Sequence, residues 1–166
     1  MSTDSESGGG LVDFDTMRGR DYPTIRQFTV FLENRVGQLK ELLRRFQGGS
    51  VRIVALNIND STECSIVRLV LTNPEAGREI LERAGLAIIE SDLIGIEMME
   101  SSQPMLEICT ALLRAEINLV QAYPLMLRPN GRSAVALVVD NIELAQETLV
   151  ERGFHMINED ELSDLA

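Results

Sequence analysis

Few residues in this chain of 166 have the capacity to do chemistry. They are one histidine (His155), two cysteines (Cys64 and Cys109) and a carboxylate group at Glu159, Asp160, Glu161 and Asp164. A catalytic imidazole or a bound metal needs partners brought within bonding reach, and nothing at ligand spacing accompanies His155. The acidic group lacks the alternation and central glycine of a calcium loop, so it reads as a solvated tail. Gly8-Gly9-Gly10 has no preceding strand and no following Lys-Ser/Thr, which excludes a phosphate loop. Neither Gly-x-Ser-x-Gly nor His-Glu-x-x-His occurs. No catalytic residue, metal or cofactor is expected, and the carboxylates cannot be converged in pairs from sequence. Both cysteines sit in apolar periodic segments and read as small core residues. Tyr123 reads as a packed, half-buried aromatic, and His155 as structural.

Composition narrows the partners. The net charge of −11 opposes binding to a phosphate backbone, so no nucleic acid is expected. Aromatics make up 4% with no Trp, which leaves the core to Leu, Ile, Val and Met and offers no stacking platform. The N-terminus is acidic and Ser/Gly-rich, unlike a signal peptide. No apolar run approaches the ~20 residues that span a bilayer, so the reading is cytoplasmic with no membrane partner.

The elements that must position any site follow from periodicity. Residues 1–23 are expected as a flexible tail. Thr24 to Leu32 reads as a strand, with Gln27 interrupting its apolar run, and the turn Glu33-Asn34-Arg35-Val36-Gly37 ends it. Leu39, Leu42, Leu43 and Phe46 share one helical face, stopped by Gly48-Gly49. Val51–Ile58 and Cys64–Leu71 form a hairpin. A helix opened by Asn73-Pro74 and closed by Gly85 leads to a strand at Leu86–Ile89. The order βαββαβ then recurs: strand Leu93–Met99, a helix with Leu106, Cys109 and Leu113 on one side, strands Ile117–Met126 and Ser133–Val139, helix Ile142–Arg152, and strand Phe154–Ile157.

The recurrence is legible in residues. Asn73-Pro74-Glu75-Ala76 through Gly85 aligns with Asn141-Ile142-Glu143-Leu144 through Gly153, a period of about 68 residues that suits a small α+β domain rather than a solenoid repeat. Copy one is placed at 24–91 and copy two at 92–166. The fold class is α+β: two tandem ferredoxin-like units, their antiparallel sheets side by side with helices on one face. A seam between such copies is a natural place for a ligand.

The run Leu32-Glu33-Asn34-Arg35-Val36-Gly37-Gln38-Leu39 resembles the strand-to-helix turn of ACT domains, with Val36 in place of the usual proline. In copy two, Ala115-Glu116-Ile117-Asn118-Leu119 is similar to the start of the second ACT strand. The resemblance spans Thr24 to Leu162. It implies a non-catalytic regulatory protein that binds a free amino acid between two ACT domains and biases a partner enzyme. Free N–H groups at a helix start attract a carboxylate, and glycine allows the backbone to approach closely.

The copies differ in ways that matter for such a site. Copy one has the glycine turn but carries Arg52 where the family usually has asparagine. Copy two has Asn118 but no glycine in Ser101-Ser102-Gln103-Pro104-Met105. The resemblance therefore implies one composite ligand site, from Asn34, Arg35, Val36, Gly37 and Gln38 of copy one with Asn118 of copy two. Gly37 serves equally as a turn residue, and Asn118 as a strand-start cap. The opening Phe31-Leu32-Glu33-Asn34 is also similar to acetolactate synthase small regulatory subunits, which makes branched-chain amino-acid feedback the alternative. A ligand-free oligomerisation module and a catalyst on the same scaffold remain as other classes. A homodimer is expected.

Overall fold

A computed structural model describes residues 22–61 and 63–166. The tail expected at 1–23 lies, through residue 21, outside the described residues. The elements are β1 (Ile25–Glu33), α1 (Gln38–Arg44), β2 (Ile53–Asp60), β3 (Cys64–Leu71), α2 (Pro74–Arg83), β4 (Ile88–Glu97), α3 (Pro104–Arg114), β5 (Leu119–Pro124), β6 (Ala134–Val139), α4 (Ile142–Glu151), β7 (Met156–Ile157) and α5 (Glu159–Ser163). Each copy forms an antiparallel four-stranded unit, β2-β3-β1-β4 and β5-β6-β4-β7.

One strand belongs to both units. Separate strands are expected at Leu86–Ile89 and Leu93–Met99, but β4 runs unbroken from Ile88 to Glu97. The polar residues between them are satisfied across the strand pair instead of turning the chain. Glu90 stands opposite Phe28 and takes a bond from Arg78 Nη2 at 2.7 Å; Ser91 Oγ accepts from Gln27 Nε2 at 3.1 Å; Asp92 stands opposite Arg26. The division at residue 91/92 therefore falls inside one hydrogen-bonded strand.

Strand parity then fixes the layers, because successive side chains face opposite sides of a sheet. Ile88 packs in the core under α1 and α2, whereas Ile94 and Ile96 pack in the core under α3 and α4. All three are even-numbered residues of one strand, so α1 to α4 lie on one face of a continuous seven-stranded sheet among the described residues. The sheet curls. Its opposite face closes on itself around Ile25, Val70 and Leu93 from copy one with Tyr123, Ala136 and Ile157 from copy two, and Leu162 of α5 packs among them. A backbone bond from Met126 N–H to the Val54 carbonyl, 2.7 Å, stitches the two halves.

The repeat holds in geometry. Asn73 and Asn141 are both helix N-caps in extended conformation, accepting from the Ala76 and Leu144 amides. Gly85 and Gly153 both end their helices at positive φ, 70° and 83°.

The segments just before β1 and just after β7 each clasp the opposite copy. Tyr22 packs against the copy-two core, and Gln146 Nε2 of α4 donates to the Pro23 carbonyl at 2.9 Å. At the other end α5 reaches copy one: Glu159 binds Arg26 through Nε (2.8 Å) and Nη2 (2.9 Å), and Ser163 Oγ donates to the Thr72 carbonyl. The acidic end is thus an anchored helix rather than a solvated tail, and Asn158 and Glu161 form its reciprocal cap.

Close approach at the shared strand is testable. A Cβ at Gly95 would stand 2.9 Å from Ile25 Cδ1 and 3.3 Å from Ile157 Cβ, both fully buried side chains. Gly95→Ala is expected to lower the unfolding free energy by about 1–3 kcal/mol in urea titration. A variant as stable as the parent would show that this junction is not tightly packed.

Candidate ligand-binding turn and the seam between copies

The turn after β1 carries five of the six proposed ligand residues. Gly37 is the N-cap of α1 at φ 92°, a left-handed conformation that glycine adopts without penalty. Asn34 Nδ2 donates to the Ser61 carbonyl at 2.9 Å, fixing the turn against the β2–β3 hairpin. Arg35 pairs with Glu33 at 2.6 Å, and Val36 is fully exposed. No side chain caps α1.

This lack of a cap sets two helices apart. α2, α4 and α5 are each capped by an asparagine side chain, from Asn73, Asn141 and Asn158. α1 and α3, the first helix of each copy, have no side-chain cap. The positive end of a helix dipole without an internal acceptor is a place where a carboxylate is stabilised.

Asn118 sits elsewhere. Its N–H donates to Asp140 Oδ1 at 3.1 Å, and Asp140 N–H returns a bond to the Asn118 carbonyl, closing the start of the β5–β6 pair. No hydrogen bond among the described residues joins Asn118 to the Asn34–Gln38 turn. Arg52, standing where an asparagine is usual, is committed to the chain end: its Nη1 donates to the Leu165 carbonyl at 2.7 Å.

The seam between the copies contains a polar cluster that spacing alone does not reveal. Tyr123 Oη donates to Gln27 Oε1, both buried, and Gln27 Nε2 continues to Ser91. Gln121 Nε2 donates to Asn57 Oδ1 at 2.9 Å, again from copy two to copy one. Burial holds the Tyr123 phenol above its ordinary range, so it stays a neutral donor. The one sequence signal was Gln27 breaking an apolar strand.

A second cluster lies at the far end of β4. Glu97, nearly buried, is 3.2 Å from Arg132 Nε and 3.8 Å from His155 Nε2. His155 also reaches Glu161 Oε1 at 2.9 Å, which Asn130 Nδ2 contacts at 2.8 Å. Among the described residues no group of three or more His, Cys, Asp or Glu could hold a metal ion. No described helix is long and apolar enough to cross a membrane. The cysteines differ from expectation: Cys64 is half-buried and Cys109 is exposed on α3.

A family model described as an ACT domain pair matches residues 23–166, both copies together. The chain belongs to the ACT domain-pair family. The structure of a protein from Bacteroides thetaiotaomicron superposes with a TM-score of 0.75 at 20% identity, covering 84% of this chain and 96% of that one. The ligand-free regulatory subunit of aspartate kinase from Thermus thermophilus superposes with a TM-score of 0.54 at 8% identity, covering 78% and 93%. At these identities the likeness is one of fold. No curated protein matches. Within this ACT pair, the turn of copy one keeps its glycine and the turn of copy two does not.

Glu161 makes the far cluster pH-sensitive. Burial raises its pKa, but bonds from His155, the Asn158 amide and Asn130 together outweigh that and hold it below the usual carboxylate value. A depressed folded pKa adds stability that is present above the unfolded value and lost as pH falls through the folded one. Unfolding free energy is therefore expected to decline as pH falls below the ordinary glutamate range, and Glu161→Gln to flatten that decline. Equal slopes for parent and variant would contradict the assignment.

Proposed function

We propose that this chain is a non-catalytic sensor that binds a free amino acid and biases a partner protein in amino-acid metabolism. The observation that carries the reading is the match of an ACT domain pair over residues 23–166, within which copy one keeps the left-handed Gly37 turn between β1 and α1. The ligand carboxylate would meet the backbone of the Asn34–Gln38 turn, where Gly37 leaves no Cβ in the way. Asn118, whose side-chain amide makes no hydrogen bond among the described residues, would meet the ligand's polar end from a second chain, across an interface between two molecules. Commitment of Arg52 to the chain end supports a single productive site rather than two. Membership of the ACT domain pair through residue 166 favours two ACT units over the domain arrangement of a synthase small subunit.

A thermal-shift screen against the free amino acids tests this. A ligand at 100 times its Kd is expected to add about 2.7 kcal/mol, a clear rise in Tm. The rise should vanish in Gly37→Ala and Asn118→Ala and persist in Ser102→Ala and Arg52→Ala. Equal loss in all four would overturn the single composite site, and no shift with any amino acid would overturn the sensor reading.

A further inference from the structure

α3 has two apolar faces, and the fold uses only one. Ile108, Ala111 and Leu112 are buried in the copy-two core. On the opposite side Leu106 and Leu113 are 62% and 75% exposed, with Cys109 between them. The stripe expected from sequence to be the buried face is thus the outward one. Single exposed leucines are ordinary, but an aligned stripe marks a contact surface. The exposed apolar residues of α4, Leu144 and Val150, are six apart and so lie on different sides of that helix.

The charges beside the stripe are complementary end to end. Glu107 lies in the first turn of α3 and Arg114 in the last, seven residues apart and therefore on the same flank. Both are exposed, and neither forms an ion pair among the described residues. We infer that α3 is a two-fold interface with a second copy of this chain, the two helices antiparallel. Antiparallel pairing about the Cys109–Thr110 region sets Leu106 of one copy on Leu113 of the other. The same flank meets itself, so Glu107 opposes Arg114 twice. Parallel pairing would instead carry this flank to opposite sides of the interface, so that Glu107 and Arg114 of the two chains would not meet. In a chain of net charge −11 a self-contact needs this local neutrality. A closed two-fold also uses one patch on both copies, leaving no open end for further growth.

This interface does not depend on the amino-acid reading, and sedimentation of the full chain without any amino acid tests it. The parent is expected to be a dimer across micromolar concentrations. Leu106→Glu with Leu113→Glu should give a monomer with unchanged circular dichroism. Glu107→Arg alone should weaken the dimer about tenfold, and adding Arg114→Glu should restore it, because the pair is then only exchanged. A short bis-maleimide should link copies through Cys109, with no linkage in Cys109→Ser. A monomeric parent, a dimer indifferent to these changes, or linkage through Cys64 would overturn the proposal. If the leucine variant fails to fold, the charge exchange decides alone.

Discussion

Along β4 the even-numbered residues face the helices and the odd-numbered residues face the seam, from Ile88 to Glu97 without a break. Because the side-chain period of a strand is two, slipping either copy by one residue would turn its core outward. The shared strand therefore does more than connect. It obliges α1 to α4 to lie on the same face of the sheet, and it brings the opposite faces of the two copies toward each other. A flexible linker would have left that relation open.

The seam that results is apolar at Ile25, Leu93 and Ile157 and polar at Gln27, Tyr123, Ser91, Asn57 and Gln121. Apolar contact alone tolerates sliding. A buried amide that must meet one phenol and one hydroxyl does not, since an unmet partner costs about 1–3 kcal/mol. The crossed clasps act in the same sense, with Pro23 held by α4, and α5 held on Arg26 of β1 and on Thr72 just past β3. Any signal from a ligand at the Gly37 turn would thus be felt by a body whose two halves are locked in register.

Much of this was legible in the sequence. The matched asparagines and glycines of the two copies announced the duplication, because caps and left-handed turns have narrow residue requirements. What stayed hidden depended on partners distant in the chain. Glu90-Ser91-Asp92 looks like a break until Arg78, Gln27 and Arg26 are placed beside it. α3 has two stripes of helical period, and sequence cannot say which one meets the sheet, so Cys109 was assigned to the core although it is exposed. The acidic end looks solvated until Arg26 is seen across from Glu159. For the candidate ligand site, local geometry such as the Gly37 turn is readable. The position of Asn118 relative to that turn is a tertiary quantity that no spacing encodes.

Joined through β4 and the seam, the two copies should open as one cooperative unit. Native-state hydrogen exchange with increasing denaturant measures this directly. Core amides of copy one, such as those of Val30 and Leu69, and of copy two, such as those of Ile96 and Leu137, are expected to converge on one opening free energy with one denaturant slope. If one copy opened at lower free energy and with a smaller slope while the other stayed protected, the copies would be independent domains, and β4 would be only the link between them.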